Sequence, residues 1–350
     1  MAANTSFTKG LCQKLQTTLN RTAGENAPSM KRDRVGYLEA LLSDANTAGV
    51  EKIPVETNGK NRMVQIDYIQ RGTGGSVESG SFENMPSLSC DGTTEVTPNE
   101  QIIEVKNLAK STGLKFVESE MRKLCEGDDV WVSNVLMSQM NSVNVELNKY
   151  LLAQQATNFG KFADGTAKKD IKLFEDTTNG QRGIATAKMR HEYDKASASG
   201  APIIVAGGNF DLYAKMNQIA CCNELGFDLA RWTDYRYYYD RFVDAQIGTN
   251  EMIMFAPGAV QLVTWNAYVG DYAKRNDVFE HGTLTDPFTG LTYDIKIHYD
   301  DCTDTWNIQF GVHFEVVYLP QDGFGATDDL SGVNYTFNFG DCSTIEECID

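Results

Sequence analysis

Between Val130 and Phe159 the chain contains neither Gly nor Pro. These are the two residues that interrupt helices most strongly, so this stretch can run as one helix of about 45 Å at 1.5 Å per residue. Val132, Val135, Leu136, Met140, Val143, Leu147, Tyr150 and Leu151 recur along it at helical spacing. Asp128 and Asp129 stand where carboxylates favour a helix N-terminus. The pattern predicts a helix over 128–158. Its opposite face is Asn, Gln and Ser rather than charge, which suits packing against other protein with hydrogen bonds retained.

Other segments read as shorter elements. Phe7, Leu11, Leu15 and Leu19 form one helical stripe. The Arg21–Ser29 stretch behind it reads as linker, so residues 1–34 are expected to be an arm that must dock on something. Val35, Leu38, Leu42 and Ala45 predict a second short helix. Val64, Ile66 and Tyr68 alternate, predicting a strand over 62–70, and extended sequence returns at 93–96 and 101–105. The Gly- and Ser-rich residues between make a long hairpin, with 71–92 expected to be ordered by neighbours; so long a loop implies a use. Helices are expected at 184–198 and 210–225, and buried strands at 203–205, 252–255 and 260–264. Tyr293–Tyr299 and Trp306–Val316 alternate on either side of Asp300–Asp304, which predicts a hairpin. Val333–Phe339 suggests one further strand.

Charge narrows the function. The chain has 31 Lys and Arg against 48 Asp and Glu, a formal net charge of −17. A dedicated nucleic-acid reader needs a dense basic footprint. The charge is also uneven: residues 1–34 are locally basic, and no Lys or Arg follows Lys296. A basic leading arm and an acidic trailing end suit contact between copies of the chain; ordinary solvated charge is the plain alternative. Met1–Gly10 lacks the pattern of a signal peptide, and no stretch has the roughly 20 apolar residues of a membrane helix. The eight cysteines are scattered without a CxxC pair, which reads as reduced thiols.

No constellation for catalysis emerges. No HExxH, GxSxG or P-loop pattern is present. His191 falls in a helix, His281 in a Gly-containing loop, and His298 and His313 on strand faces opposite the bulky apolar set. The Gly72–Gly80 loop follows a strand but opens no helix, so it reads as a hairpin tip. Ala206–Asn209 joins strand to helix, yet Asn209 or Asp211 is more simply a cap. Asp300–Asp304 could hold a cation but lacks the spacing of a calcium loop. Cys221–Cys222 and Cys342/Cys348 lack a matching second pair for zinc. Tyr235 and Tyr237–Tyr239, with Arg231, Arg236 and Arg241, could stack bases but read better as a packing or subunit-contact cluster. Catalytic, cofactor and metal residues are therefore expected to be none. The remaining features are an arm, a long hairpin, an amide-faced helix and an aromatic segment, all of which bury surface with partners.

This order of elements resembles the major capsid proteins of tailed phages, the Hong Kong 97-type fold. The segment Ile247–Val260 and the strand-turn-helix Ile203–Leu225 carry the resemblance within the axial region. It implies an α+β chain made of an N-terminal arm (1–34), a short helix and connection (35–57), an E-loop hairpin (58–106) and a peripheral domain (107–200) with a spine helix (128–160). An axial domain (201–276) and a return to the peripheral sheet with an acidic end (277–350) complete it. It further implies a non-enzymatic subunit forming hexamers and pentamers of an icosahedral shell around double-stranded DNA, held without sequence specificity. Scaffolding, portal and decoration proteins would be partners, with no membrane, no cofactor, assembly in host cytoplasm and residence in the virion. Scaffolding would be separate or absent, because no long helical segment precedes the arm. The subunit-contact candidates are Phe7, Leu11, Leu15, Arg32 and Arg34 in the arm, Arg62 and Arg71 at the hairpin, and Tyr237, Tyr238 and Arg241 in the aromatic segment. A cargo-enclosing shell of the same fold and a nucleotide-binding α/β enzyme are the alternatives.

Overall fold

The structure, a computed structural model, describes residues 11–26, 32–44, 51–55, 62–68, 99–121, 130–162, 164–176, 181–182, 185–195, 200–219, 235–268, 274–275, 279–319 and 333–338. The chain begins with helices α1 (Leu11–Asn26) and α2 (Gly36–Asp44). Strands β1 (Glu51–Val55), β2 (Met63–Tyr68) and β3 (Asn99–Glu104) form a three-stranded sheet in the order β1-β2-β3. Strands β2 and β3 are antiparallel, with Met63 opposite Glu104 and Tyr68 opposite Asn99. Here the expected hairpin has its base; 71–92 and the extended sequence at 93–96 lie outside the described residues. Strands β4 (Asn107–Lys110) and β5 (Leu114–Val117) follow, then the long helix α3 (Val130–Thr157). At 28 residues it matches the prediction in all but its first turn; Asp128 and Asp129 lie outside the described residues.

The middle of the chain builds one mixed sheet. Its strands are β6 (Lys168–Lys172), β9 (Ile203–Ala206), β10 (Arg236–Tyr239), β11 (Glu251–Phe255) and β17 (Val333–Asn338), in the order β10-β9-β11-β17-β6. Strands β7 (Phe174–Asp176) and β8 (Gln181–Arg182) pair beside it. Helices α4 (Ala185–Lys195), α5 (Gly208–Ile219) and the short α6 (Val243–Gln246) accompany it. Met189, Tyr193, Phe210 and Tyr213 pack with Ile204, Met252, Met254 and Tyr335 in a core of their own.

The second large sheet has seven strands. These are β4, β5, β12 (Val260–Trp265), β13 (Lys274–Arg275), β14 (Phe279–Thr285), β15 (Thr292–Asp300) and β16 (Thr305–Tyr318). The predicted hairpin is β15–β16, closed at Asp300 opposite Thr305. Gly311 of β16 pairs with both Asp294 of β15 and Lys110 of β4, and Phe314 pairs with both Thr264 of β12 and Asn107 of β4. A strand residue has one neighbour on each side, so β15 and β12 share one side of β16 while β4 lies on the other. One face of this sheet presents Tyr293, Ile295, Ile297, Trp306, Ile308, Phe310 and Phe314 to α1 and to Leu136, Met140, Leu147 and Leu151 of α3, forming the main core. Tyr150, expected in the apolar stripe, stays 38% exposed and packs edge-on to Phe314.

Four expectations need correction. The described part of the arm docks on its own chain rather than on a copy: Leu15 and Leu19 are fully buried in the main core, and α1 takes in residues 21–26 of the expected linker. The amide face of α3 is occupied by its own chain. Asn148 accepts from the Leu38 amide at 2.9 Å and donates to Asp240 at 2.8 Å, Asn144 donates to Asp286 at 2.7 Å, and Gln155 accepts from Tyr37 Oη at 2.7 Å. The 276/277 boundary does not divide the sheets, because β12 pairs with β16 while β17 pairs with β11 and β6. His281 lies in strand β14, not a loop; its neighbour Gly282 faces α1 so closely that a Cβ there would stand 3.3 Å from Cys12 Sγ.

Candidate functional site

The aromatic segment 235–241 is used inside the chain. Strand β10 lies parallel to β9 with Tyr237 opposite Ile204. Tyr237 Oη donates to Asp211 at 3.2 Å, and burial together with that carboxylate pushes its phenol well above the usual range. Tyr238 shares a 2.7 Å hydrogen bond with Ser43. Arg236 pairs with the fully buried Asp44 at 3.0 Å, and Asp44 also accepts from the Gly258 amide at 2.5 Å. Arg241 pairs with Asp33 at 2.5 Å and lies over the Phe242 ring. These residues therefore make their contacts within the chain rather than presenting a stacking surface.

The arm residues divide. Arg32 pairs with Glu39 at 2.8 Å and covers the Phe288 ring, Leu15 is buried, and Arg34 is exposed. Leu11 opens α1, whereas Phe7 and Arg71 lie outside the described residues. Helix α1 has no acidic residue in its first turn. The buried Glu280 of β14 supplies one instead, accepting from the Cys12 amide at 3.3 Å. Gln16 then clamps the strand edge: its Nε2 donates to the Thr285 carbonyl at 2.9 Å, and its Oε1 accepts from the Thr285 amide at 2.6 Å.

The Ala206–Asn209 turn does join β9 to α5, but its helix N-terminus is already filled. Asp244 of α6 accepts from the Gly208 amide at 3.2 Å, and a Cβ at Gly207 would collide with that carboxylate. An anion thus occupies the place a phosphate would need. The cap comes from 36 residues further on, not from Asn209 or Asp211; Asn209 instead donates to Asn250 at 2.7 Å. The Asp300–Asp304 segment is a turn in which Asp300 accepts from Cys302 N and Thr303 Oγ1. Among the described residues no group of three His, Cys, Asp or Glu side chains is placed to hold a metal ion, and no helix is long and apolar enough to cross a membrane. The Gly72–Gly80 loop, Cys221–Cys222 and Cys342/Cys348 lie outside the described residues.

A concave feature lies on the other face of the seven-stranded sheet. A cavity of about 190 Å³ opens there, walled by Arg62, Leu108, Lys110, Tyr268, Asp294, Lys296, Gln309 and His313 among others. Strand alternation puts Leu108, Lys110, Asp294, Lys296, Gln309 and His313 on the face opposite the core; Lys110 and Lys296 are exposed and Arg62 is half-buried. Asp294 stands in the same wall, and its oxygens accept from the Ala267 and Tyr268 amides at 2.8 and 3.1 Å. Among the described residues Arg62, Lys110 and Lys296 form no ion pair. His313 is held below the ordinary imidazole range, first by burial and then by the Arg62 charge, against a smaller opposing pull from Asp294. Of the subunit-contact candidates among the described residues, Arg62 stands in this cavity. Lys110 and Lys296 could have been found by asking which cations alternate onto a solvent-facing strand surface.

Nearby, Leu108 of β4 and Val117 of β5 are each 47% exposed, and Trp131 at the start of α3 is 53% exposed while edge-packed on Phe116. On the three-stranded sheet, Ile102 is 60% exposed.

No family model and no curated protein matches the chain. Its backbone course is similar to that of phage capsid structures. A structure of Mycobacterium phage Adephagia matches at 10% identity and TM-score 0.45, covering 89% of this chain and 92% of that one. The mature capsid of bacteriophage PhiM1 matches at 10% identity and TM-score 0.40, covering 81% and 83%. The capsid of Staphylococcus phage Andhra matches at 8% identity and TM-score 0.40, covering 82% of each.

Proposed function

We propose that this chain is a structural subunit that assembles with copies of itself, as hexamers and pentamers, into an icosahedral phage shell around double-stranded DNA. In this reading α3 is the spine and the seven-stranded sheet is the peripheral domain. The five-stranded sheet is the axial domain, and β2–β3 is the base of the E-loop. The observation that carries the reading is how the long hairpin is rooted. Strands β2 and β3 are held to the body by a small cluster in which Val64, Ile66 and Val105 meet Val263, Val317 and Leu319. From that base thirty residues, 69–98, depart and return between the paired Tyr68 and Asn99. An excursion of that size is hard to reconcile with a subunit meant to stand alone.

The charge supports the same reading. At −17 the wall of such a shell would repel packaged DNA and let it pack and leave without adhering. Scaffolding, portal and decoration proteins would be its further partners, with assembly in the host cytoplasm. Arg34, Arg62, Phe7, Leu11 and Arg71 remain the candidates for contact between subunits. The test is electron microscopy of the expressed full chain, with nucleic acid assayed inside any particles. Closed shells of uniform size are expected. A small oligomer or monomer that never closes, over a wide range of concentration, would overturn the proposal.

A further inference from the structure

The cavity on the open face of the seven-stranded sheet gathers cations in a chain that has few to spare. Arg62 arrives from the hairpin base, Lys110 from the edge strand β4 and Lys296 from β15. Three elements distant in sequence thus converge on one hollow, and among the described residues of its wall Asp294 is the only carboxylate. Three cations against one carboxylate leave the hollow with a positive surplus, which calls for an anionic occupant. At about 190 Å³ the hollow suits one or two carboxylate side chains and is smaller than the 300–1,000 Å³ of pockets for drug-sized ligands.

The chain itself holds a segment of matching chemistry. Residues 340–350 carry Asp341, Glu346, Glu347 and Asp350 and no Lys or Arg. This segment follows β17, which belongs to the five-stranded sheet, whereas the cavity belongs to the other sheet. We propose that the cavity receives the acidic 340–350 segment of a second copy of this chain, with Arg62, Lys110 and Lys296 taking its carboxylates. The inference rests on the reading of the chain as a self-assembling subunit and names one contact within that assembly. Opposite charges brought together across a rim set register and partner choice more than bulk affinity.

The test uses the full chain. Equal amounts of ¹⁴N- and ¹⁵N-labelled protein are assembled together and treated with a carbodiimide, which joins an amine to a carboxylate without a spacer. Cross-linked peptides joining Lys110 or Lys296 to residues 340–350, with the two isotopes mixed, are expected. The Lys110→Glu/Lys296→Glu chain, which has no amine to link there, serves the binding measurement instead; both residues are exposed, and circular dichroism checks that this variant folds. A synthetic 340–350 peptide should bind a full chain whose four acidic tail residues are made amides. Its affinity should fall at least about tenfold on reversing the two lysines. Single-isotope links alone would overturn the second copy, and absence of the links from well-formed shells would overturn the site while leaving the capsid reading intact. Preferential competition by inorganic phosphate or double-stranded DNA would reassign the cavity to phosphate and overturn the proposal. Mixed links in a chain that never closes into shells would sustain this contact and sink the capsid reading.

Discussion

Asn148 shows how much a single buried amide can organise. Its Oδ1 receives the Leu38 amide and its Nδ2 reaches Asp240, which also accepts from the Tyr37 and Phe242 amides. One side chain on α3 thereby fixes both α2 and the end of β10. Asn148→Ala leaves the Leu38 amide unpaired and removes one donor from a buried carboxylate. The expected cost is about 2–4 kcal/mol, read as a lower urea midpoint of the isolated subunit. Ser142→Ala, on the exposed side of the same helix, should stay within about 0.5 kcal/mol. His313 offers a pH test at the same scale. Its folded pKa lies below the ordinary imidazole value, so the unfolded chain binds the proton more readily. Its contribution is therefore fully present above the unfolded value of about 6.5 and is lost as pH falls through that value towards the folded one. Thermal midpoints of the native chain should decline relative to His313→Gln between about pH 6.5 and 5. Parallel curves over that interval would refute the assignment.

At the level of elements, α1 is the case in which sequence and structure part company. Its stripe of Leu11, Leu15 and Leu19 is legible, but its destination is not: it packs on β14 and α3, more than a hundred residues away, and periodicity carries no address. Gly282 has the same ambiguity. Within a strand it weakens the pattern, yet it is what lets Cys12 approach. Strand β1 escapes a reading by pattern because Pro54 sits inside it; β1 is an edge strand, where a missing donor is tolerated. By contrast α3 and the β15–β16 hairpin are readable almost to the residue, since their signals are local and long. The cavity is hidden for the opposite reason: Arg62, Lys110 and Lys296 share nothing in sequence and meet only once β4 and β15 flank β16. Because α1 is part of the core, losing it should harm the subunit itself rather than assembly alone. Leu19→Ala is expected to cost the isolated subunit about 2–5 kcal/mol, seen as a lowered unfolding midpoint. An unchanged midpoint would restore the picture of an arm free of its own body.

For the whole molecule the question is whether stability and assembly are carried by different parts. The cores of the two large sheets are complete within one chain: Leu136, Phe310 and Tyr293 belong to one, Met252, Phe210 and Tyr335 to the other. The hairpin base is anchored separately, through Val64, Ile66 and Val105. Tyr68 and Asn99 stand directly opposite each other in the antiparallel pair, so residues 69–98 can be replaced by a two-residue Asn-Gly turn without altering the register below. Shortening the loop this way also lowers its closure entropy, so the isolated subunit should unfold at or slightly above its native midpoint. Yet if those thirty residues are the reach of one subunit over another, the shortened chain should form no closed shells in electron micrographs, whatever its concentration. Retained stability with lost assembly would assign the two tasks to separate parts of the chain. Normal shells from the shortened chain would place the contact between copies elsewhere, and the exposed Leu108, Val117 and Trp131 along the β4–β5 edge would be the next surfaces to test.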